Sequence, residues 1–409
     1  MTGRGEVAVT GLGLVTPAGQ DAESIWKTMA AGRSLARKDP DLAGLPVDIA
    51  CSVQDLDPVS ELGIRLASRL DRFAHLGLIA ARRALNDARL SLPGCRPERV
   101  GVVLGVGSNS LQTYVKEFTR LGEGRATSLS PLGLPRSVPN MVAGEIAIDT
   151  GACGPNFTVS SACASGATAI GVARDLLLAS ACDIVLTGGS ESARSRMTAA
   201  SFAQMRALST RTEPPELACR PFDTDRDGFV LGEGAAVLVL EHPDHARARG
   251  ATVRAWLRGY GASADAHHPT SPHPQGAGAE QAIRQALTDA GCTPGDVGHV
   301  NAHGTATRAG DAAEALALLR VFNGAPPPVT ASKSIIGHAL GAAGAIEAAL
   351  TVLALERQEV PPTANLVQQD TGREMDIVTV RPRPVNADLA LSTSCGFGGQ
   401  NAALVLAAP

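Results

Sequence analysis

Two stretches of this chain lead from serines and small residues into helices with hardly a charge on any face. One is "SSACASGATAIGVARDLLLAS", beginning at Ser160; the other is "SKSIIGHALGAAGAIEAALTVLAL", beginning at Ser332. A helix that is apolar nearly all round has no side to offer water and belongs inside a large core. Two of them need a core thick enough to cover both. The 409 residues can build two domains or one long duplicated one.

Duplication is the pattern that emerges. "ERVGVVLGVGS" in the first half is matched by "GDVGHVNAHGT" in the second, each a polar entry, a short strand and a glycine turn. Apolar runs of strand length alternate with helical patterns throughout, which predicts an α/β protein. A composition break at "EHPDHARARGAT" separates the halves, predicted as residues 1–250 and 251–409. Aromatics make up 3% of the chain while glycine occurs 44 times, so backbones are expected to approach closely in the core.

Other classes fall away. A net charge of −4 gives no pull toward nucleic acid. No signal-peptide core and no apolar run of membrane-spanning length appear, so neither secretion nor a transmembrane helix is expected. The eight cysteines are scattered without a C-x-x-C pair, which argues against a disulfide scaffold or a structural zinc and for a cytoplasmic protein with free thiols. "TGLGLVTPAG" lacks the spacing of a dinucleotide fingerprint, and no phosphate-cradling P-loop occurs. "DTDRDGFVLGEG" starts like a calcium loop but has Gly234 at its twelfth position, so a rigid charged turn is expected there and no metal.

Cys163 sits where the first apolar helix begins. Unpaired N–H groups at a helix start favour an anion and can lower a thiol's pKa. Alone, Cys163 reads more readily as a packed structural thiol than as a nucleophile. The second half supplies possible partners: His303 just after the strand of "VNAHGT", and Lys333 and His338 around the start of the second apolar helix. Singly, each histidine could be a core residue. In a duplicated fold, the strand ends and helix starts that carry them converge with Cys163 on one pocket.

Five stretches in combination, "SSACASG", "RPFDTDRDGFVLGEGA", "NAHGTATRAGDAAE", "SKSIIGHALGAAG" and "GFGGQN", make the chain resemble a β-ketoacyl-acyl carrier protein synthase of the condensing-enzyme superfamily. It is most similar to the elongating type II enzymes of fatty acid and polyketide assembly, over essentially the whole length. The resemblance implies a thiolase-like five-layered α-β-α-β-α fold with duplicated halves. It implies that Cys163 is acylated and that a malonyl thioester loses carbon dioxide and attacks the acyl group. His303 and His338 would stabilise the enolate oxygen, and the backbone N–H groups of Cys163 and Phe397 the second oxyanion. Lys333 would pair with Glu314 and orient the site. Thr305 and Thr307 would hold the pantetheine, and Phe397 would gate the pocket on a mobile loop freed by Gly398 and Gly399. No cofactor is implied beyond the phosphopantetheine of the carrier protein. The partners implied are acyl carrier protein and a second subunit, identical or a chain-length factor, with no nucleic acid and no membrane.

Departures from the family pattern concern the pocket wall. Cys395 and Gln400 stand where an aromatic and a threonine are usual, Ser108 where a branched apolar residue lines the acyl pocket, and Gly133 where an aromatic reaches across the dimer. Cys395 and Gln400 would let the loop pack more loosely against Cys163, while Ser108 and Gly133 would enlarge the acyl pocket that Phe202 also lines, with the Ser108 hydroxyl as an added polar atom, for longer, stiffer or more unsaturated chains. Arg65, Arg69, Arg125 and Arg206 are expected to form a basic rim for the acidic carrier. A silent chain-length factor is disfavoured because Cys163, His303 and His338 are all present. A thiolase is disfavoured by the set of His303, His338 and Lys333, since thiolases carry a second reactive cysteine in place of one such group and Cys395 is the only nearby candidate.

Overall fold

The computed structural model describes residues 5–108, 111–370 and 372–409. Ten strands run through one path of hydrogen-bonded neighbours. In chain order they are β1 (Val7–Val15), β2 (Val100–Gly105), β3 (Asn156–Val159), β4 (Ile184–Ser192), β5 (Leu231–Glu241), β6 (Ala255–Ala264), β7 (Val297–Asn301), β8 (Val329–Thr330), β9 (Leu389–Gly396) and β10 (Gln400–Ala407). The order across the path is β8-β7-β9-β10-β6-β1-β5-β4-β2-β3. Counted from either edge, each half follows the same rule: the third strand, then the second, fourth, fifth and first. The pairing directions repeat as well, parallel for the outer two contacts and antiparallel for the inner two. The halves meet where β1 pairs antiparallel with β6 through Val7–Leu257, Ala8–Trp256 and Val9–Ala255.

The two apolar helices of the sequence are α3 (Ser165–Leu178) and α6 (Ala343–Arg357); α1 (Arg72–Asp87), α2 (Met141–Thr150), α4 (Ala277–Ala290) and α5 (Arg308–Val321) lie outside them. α3 and α6 share one core with the inward residues of both halves, such as Ala236, Leu238 and Leu240 of β5 and Ala402, Leu404 and Leu406 of β10. The alternate residues of the same strands point outward, as the period-2 pleat requires. Val237 and Val239 face α1 and α2, and Ala403 and Val405 face α4 and α5. Five layers result, with the apolar helices in the middle. That placement explains their composition, since neither has a wet face.

Glycine brings these layers together. A Cβ on Gly166 would lie 2.7 Å from the Ala345 nitrogen, and one on Gly344 would lie 2.9 Å from the Ala167 nitrogen, so α3 and α6 cross with backbones nearly touching. The outer contacts repeat between the halves: Gly11 and Gly13 of β1 lie under Ala84 and Ala80 of α1, and Gly259 and Gly261 of β6 lie under Ala286 and Ala282 of α4. The matching G-x-G pairs in "TGLGL" and "RGYGA" carry this signal in the sequence. Among the described residues no helix is long and apolar enough to cross a membrane.

Candidate active site

The site gathers at the carboxyl ends of the parallel strands, where open α/β sheets leave their crevices. β3 runs into the turn that carries Cys163, a single 3-10 turn over Ala162–Ala164, and α3 begins one residue later. Ala162 adopts φ +49°, a conformation that L residues seldom take, and thereby turns the chain sharply at the cysteine. The turn is packed from above by Gly396: a Cβ there would lie 2.5 Å from the Ser161 oxygen and 3.2 Å from the Cys163 nitrogen. The next residue, Phe397, directs its backbone N–H at the Cys163 sulfur.

The resting cysteine differs from the expectation of a lowered pKa. Burial pushes the Cys163 thiol up to about 12, opposed by the Lys333 charge and the Phe397 N–H and reinforced by nearby Glu191. Desolvation disfavours the anion more than the short turn and these donors favour it.

His303 follows β7, and its loop is clamped by two carboxylates of α5. Glu314 accepts the N–H groups of His303 and Gly304 at 2.8 Å each, and the Thr393 hydroxyl at 2.7 Å. Asp311 accepts Thr305 N–H at 3.0 Å and Ala306 N–H at 3.1 Å, and Phe222 N–H at 2.6 Å. Glu314 therefore does not pair with Lys333 as expected. The partner of Lys333 is Glu347 of α6, and both side chains are 1% exposed. The reason is geometric: backbone donors occupy both oxygens of Glu314, whereas Glu347 projects from the buried helix toward the ammonium. Glu347 and Asp311 were not singled out in the sequence, although Glu347 is the lone acid within an otherwise apolar run of α6.

Lys333 also donates to the His303 carbonyl at 2.6 Å and approaches His303 Nδ1 at 3.3 Å. The rings of His303 and His338 stand edge to face, 5.4 Å between centroids. Burial, and next the Lys333 charge, hold both imidazoles well below the ordinary histidine pKa, so both are neutral at neutral pH. His338 is fixed through its backbone, which exchanges hydrogen bonds with Val230 and Gly232 of the neighbouring chain segment.

An aromatic file leads outward from His338. Phe229 meets it edge on at 5.2 Å, Phe202 meets Phe229 at 5.3 Å, and Phe397 lies 6.1 Å from Phe202. Phe397–Gly399 forms the tight turn of the β9-β10 hairpin, in which Gly396 pairs with Gln400 and Cys395 with Asn401. Gly398 and Gly399 take φ +82° and +71°, so the turn itself requires them. Two backbone bonds tie this turn to the segment at 265–269: Gly398 N–H donates to the Pro269 carbonyl at 2.7 Å and Asp265 N–H to the Gly399 carbonyl at 2.8 Å. Burial pushes the Cys395 thiol well above the ordinary value.

The remaining sequence expectations divide. Thr305 and Thr307 lie together, their hydroxyls 3.0 Å apart, with Thr307 capping α5. The Ser108 hydroxyl donates to the Glu191 carboxylate at 3.0 Å. Gly133 is covered by the side chain of Glu117, which a Cβ would meet at 3.1 Å. Of the four arginines, Arg69 pairs with Glu145 at 2.6 Å and Arg125 with Glu123 at 3.0 Å. Arg65 and Arg206 are exposed, and among the described residues neither has an ion-pair partner. No group of three or more metal-ligating side chains forms among the described residues.

Comparisons with known proteins match this architecture. The beta-ketoacyl synthase N-terminal domain matches residues 4–246 and the beta-ketoacyl synthase C-terminal domain residues 254–367. The chain is 40% identical over 404 residues to 3-oxoacyl-[acyl-carrier-protein] synthase 2 of Vibrio harveyi, covering 98% of this chain and 97% of that one. It is similar in structure to the ishigamide ketosynthase/chain length factor, with 32% identity, a TM-score of 0.92 and 99% of both chains covered. A type II polyketide synthase acyl-carrier protein in complex with its ketosynthase bound to the hexaketide gives 29% identity, a TM-score of 0.91 and 99% of both chains covered.

Proposed function

The chain belongs to the β-ketoacyl synthase family, and on that premise we propose that it elongates acyl chains by decarboxylative Claisen condensation. An acyl group passes from its carrier thioester to the Cys163 sulfur. Malonyl-acyl carrier protein then loses carbon dioxide, and its α-carbon attacks the acyl thioester to give a β-ketoacyl carrier and the free thiol. The observation that carries this proposal is the Lys333–His303–His338 arrangement beside Cys163.

An ammonium has no lone pair, so His303 Nδ1 must accept from Lys333 and the ring proton sits on Nε2. His303 is thereby a neutral N–H donor for the enolate oxygen that forms as carbon dioxide leaves. His338, also neutral, supplies the second donor. Two donors in a dry site stabilise a developing oxyanion far better than water does, each worth about 10²–10³ in rate in comparable sites. Cys163 gives up its proton as it attacks and the departing pantetheine sulfur takes one up, so acyl transfer leaves the proton count of the site unchanged. The N–H groups of Cys163 and Phe397 would hold the oxyanion of the acyl-transfer step. Thr305 and Thr307 present hydroxyls to the pantetheine arm. The reaction draws on no cofactor of its own.

We place the enzyme in the cytoplasm, where its eight free thiols stay reduced. A second subunit fits the apolar residues that stand exposed on one region of the first half: Val115, Phe118, Leu134, Ile148 and Phe157. Such a face suits an identical chain or a chain-length factor.

Reconstitution with malonyl-carrier protein and a series of acyl carriers, with and without a candidate partner, tests the proposal. Mass spectrometry should show β-ketoacyl products two carbons longer, extending to long or unsaturated chains, and Cys163→Ala should form none. Full condensation by Cys163→Ala would defeat it, and a sharp cut-off at short saturated chains would sink the roomy pocket.

A further inference from the structure

Glu191 has no part in the chemistry described above, yet two loops of the site donate to it. It lies next to the end of β4 and is 2% exposed. One oxygen accepts the N–H groups of Gly107 at 2.8 Å and Ser108 at 3.1 Å; the other accepts the Ser108 hydroxyl at 3.0 Å. Gly341 N–H, three residues beyond His338, also bonds to the carboxylate. The backbones are pressed together around it. A Cβ on Gly341 would lie 2.1 Å from the Gly107 nitrogen, and one on Gly107 would lie 3.2 Å from the carbonyl oxygen of Ala162, the residue before Cys163. Buried N–H groups converging from separate loops need an acceptor, and one carboxylate serves them all.

We infer that Glu191 is a positioning residue: through Gly341 it sets His338 against the malonyl thioester, and through Gly107 and Ser108 it sets the start of the acyl-pocket wall. This inference rests on the condensing activity proposed above. The Ser108 contact belongs to this chain's own departure from the family pattern, since a branched apolar side chain could not make it. Burial pushes the Glu191 carboxyl up to about 7, and above that pH it stands charged and close enough to Cys163 to oppose the thiolate. Removing that charge therefore has a signature that a purely packing role lacks.

The experiment compares the wild-type enzyme with Glu191→Gln and Glu191→Asp. It reads malonyl-carrier decarboxylation and the pH profile of Cys163 alkylation by iodoacetamide. Glutamine keeps the shape but turns an NH2 group toward backbone donors. Decarboxylation should fall roughly 10²-fold in kcat, the scale of a misplaced catalytic group, with KM little changed. Alkylation should shift to lower pH. Aspartate keeps the charge but is one methylene short, so decarboxylation should fall while the alkylation profile stays at the wild-type position. Should the glutamine variant not fold, the aspartate variant carries the test alone. A folded variant with wild-type decarboxylation overturns the inference. A wild-type enzyme that neither decarboxylates nor condenses overturns the functional proposal instead.

Discussion

The ammonium of Lys333 lies 3.3 Å from Nδ1 of His303 and is held in place by Glu347. This contact selects the imidazole tautomer, and with it the direction in which His303 can donate. Lys333→Met should therefore cost activity and stability by separable routes. It strips Glu347 of its partner, and breaking a buried pair costs about 3–5 kcal/mol. It also frees the His303 tautomer. In Lys333→Met/Glu347→Gln, denaturant unfolding should show most of the stability regained, while decarboxylation stays at least about 10²-fold down. Recovery of both together would show that Lys333 acts only through packing.

Cys163 alkylation in the enzyme without substrate should climb steadily with pH. With its pKa pushed up to about 12, the thiolate fraction rises tenfold per pH unit throughout the range below that value. Iodoacetamide rates between pH 7 and 9.5 should follow that slope without levelling. A plateau near pH 7 would mean a preformed thiolate and would contradict the burial of the sulfur.

His299 ties stability to pH. Its Nδ1–H donates to the Pro328 carbonyl at 2.9 Å, Nε2 is buried without a partner, and burial lowers its pKa from 6.5 to about 4. The unfolded chain therefore binds a proton between those values that the folded chain refuses. The associated stability is complete above pH 6.5 and is lost as pH falls toward 4, about 3 kcal/mol in all. The cost of His299→Gln, measured by denaturant unfolding, should be greatest near pH 7 and shrink by pH 4.5. An equal cost at both would argue that His299 is charged in the folded state.

Arg65 and Arg206 remain as exposed charges for an acidic carrier protein. Reversing either to glutamate should raise KM for carrier-bound substrate about fivefold at low salt, the scale of one exposed ion pair, and leave turnover of a free pantetheine thioester unchanged. Reversing Arg69 tests a different matter, because it would set two acids against each other at Glu145.

The groups with chemistry to do were legible because they interrupt strong patterns. Cys163 stands at the mouth of one apolar helix, Lys333 and His338 before the other, and His303 after a short strand. The groups that hold them were not. Glu314 was expected at Lys333 but binds the His303 loop; Glu347 does interrupt the apolar run of the second helix and was passed over, and Asp311 and Glu191 gave no comparable signal. A buried carboxylate's partner depends on which backbone donors reach it, and those arrive from segments far apart in the chain. Ser108 shows the same limit: nothing in the sequence pointed to the Glu191 carboxylate as the partner of its hydroxyl.

By itself the sequence determined the duplicated α/β plan and the two central helices, because an all-round apolar helix can be stable only where both sides are covered. It also determined which thiol and which imidazoles meet, because the two halves repeat one topology. Tertiary structure alone decided their states. Cys163 rests as a thiol because enclosure outweighs the donors around it. His303 and His338 stay neutral because they are buried beside the fixed charge of Lys333. Desolvation and charge separation depend on three-dimensional distance and on what excludes water, and neither is written in residue spacing.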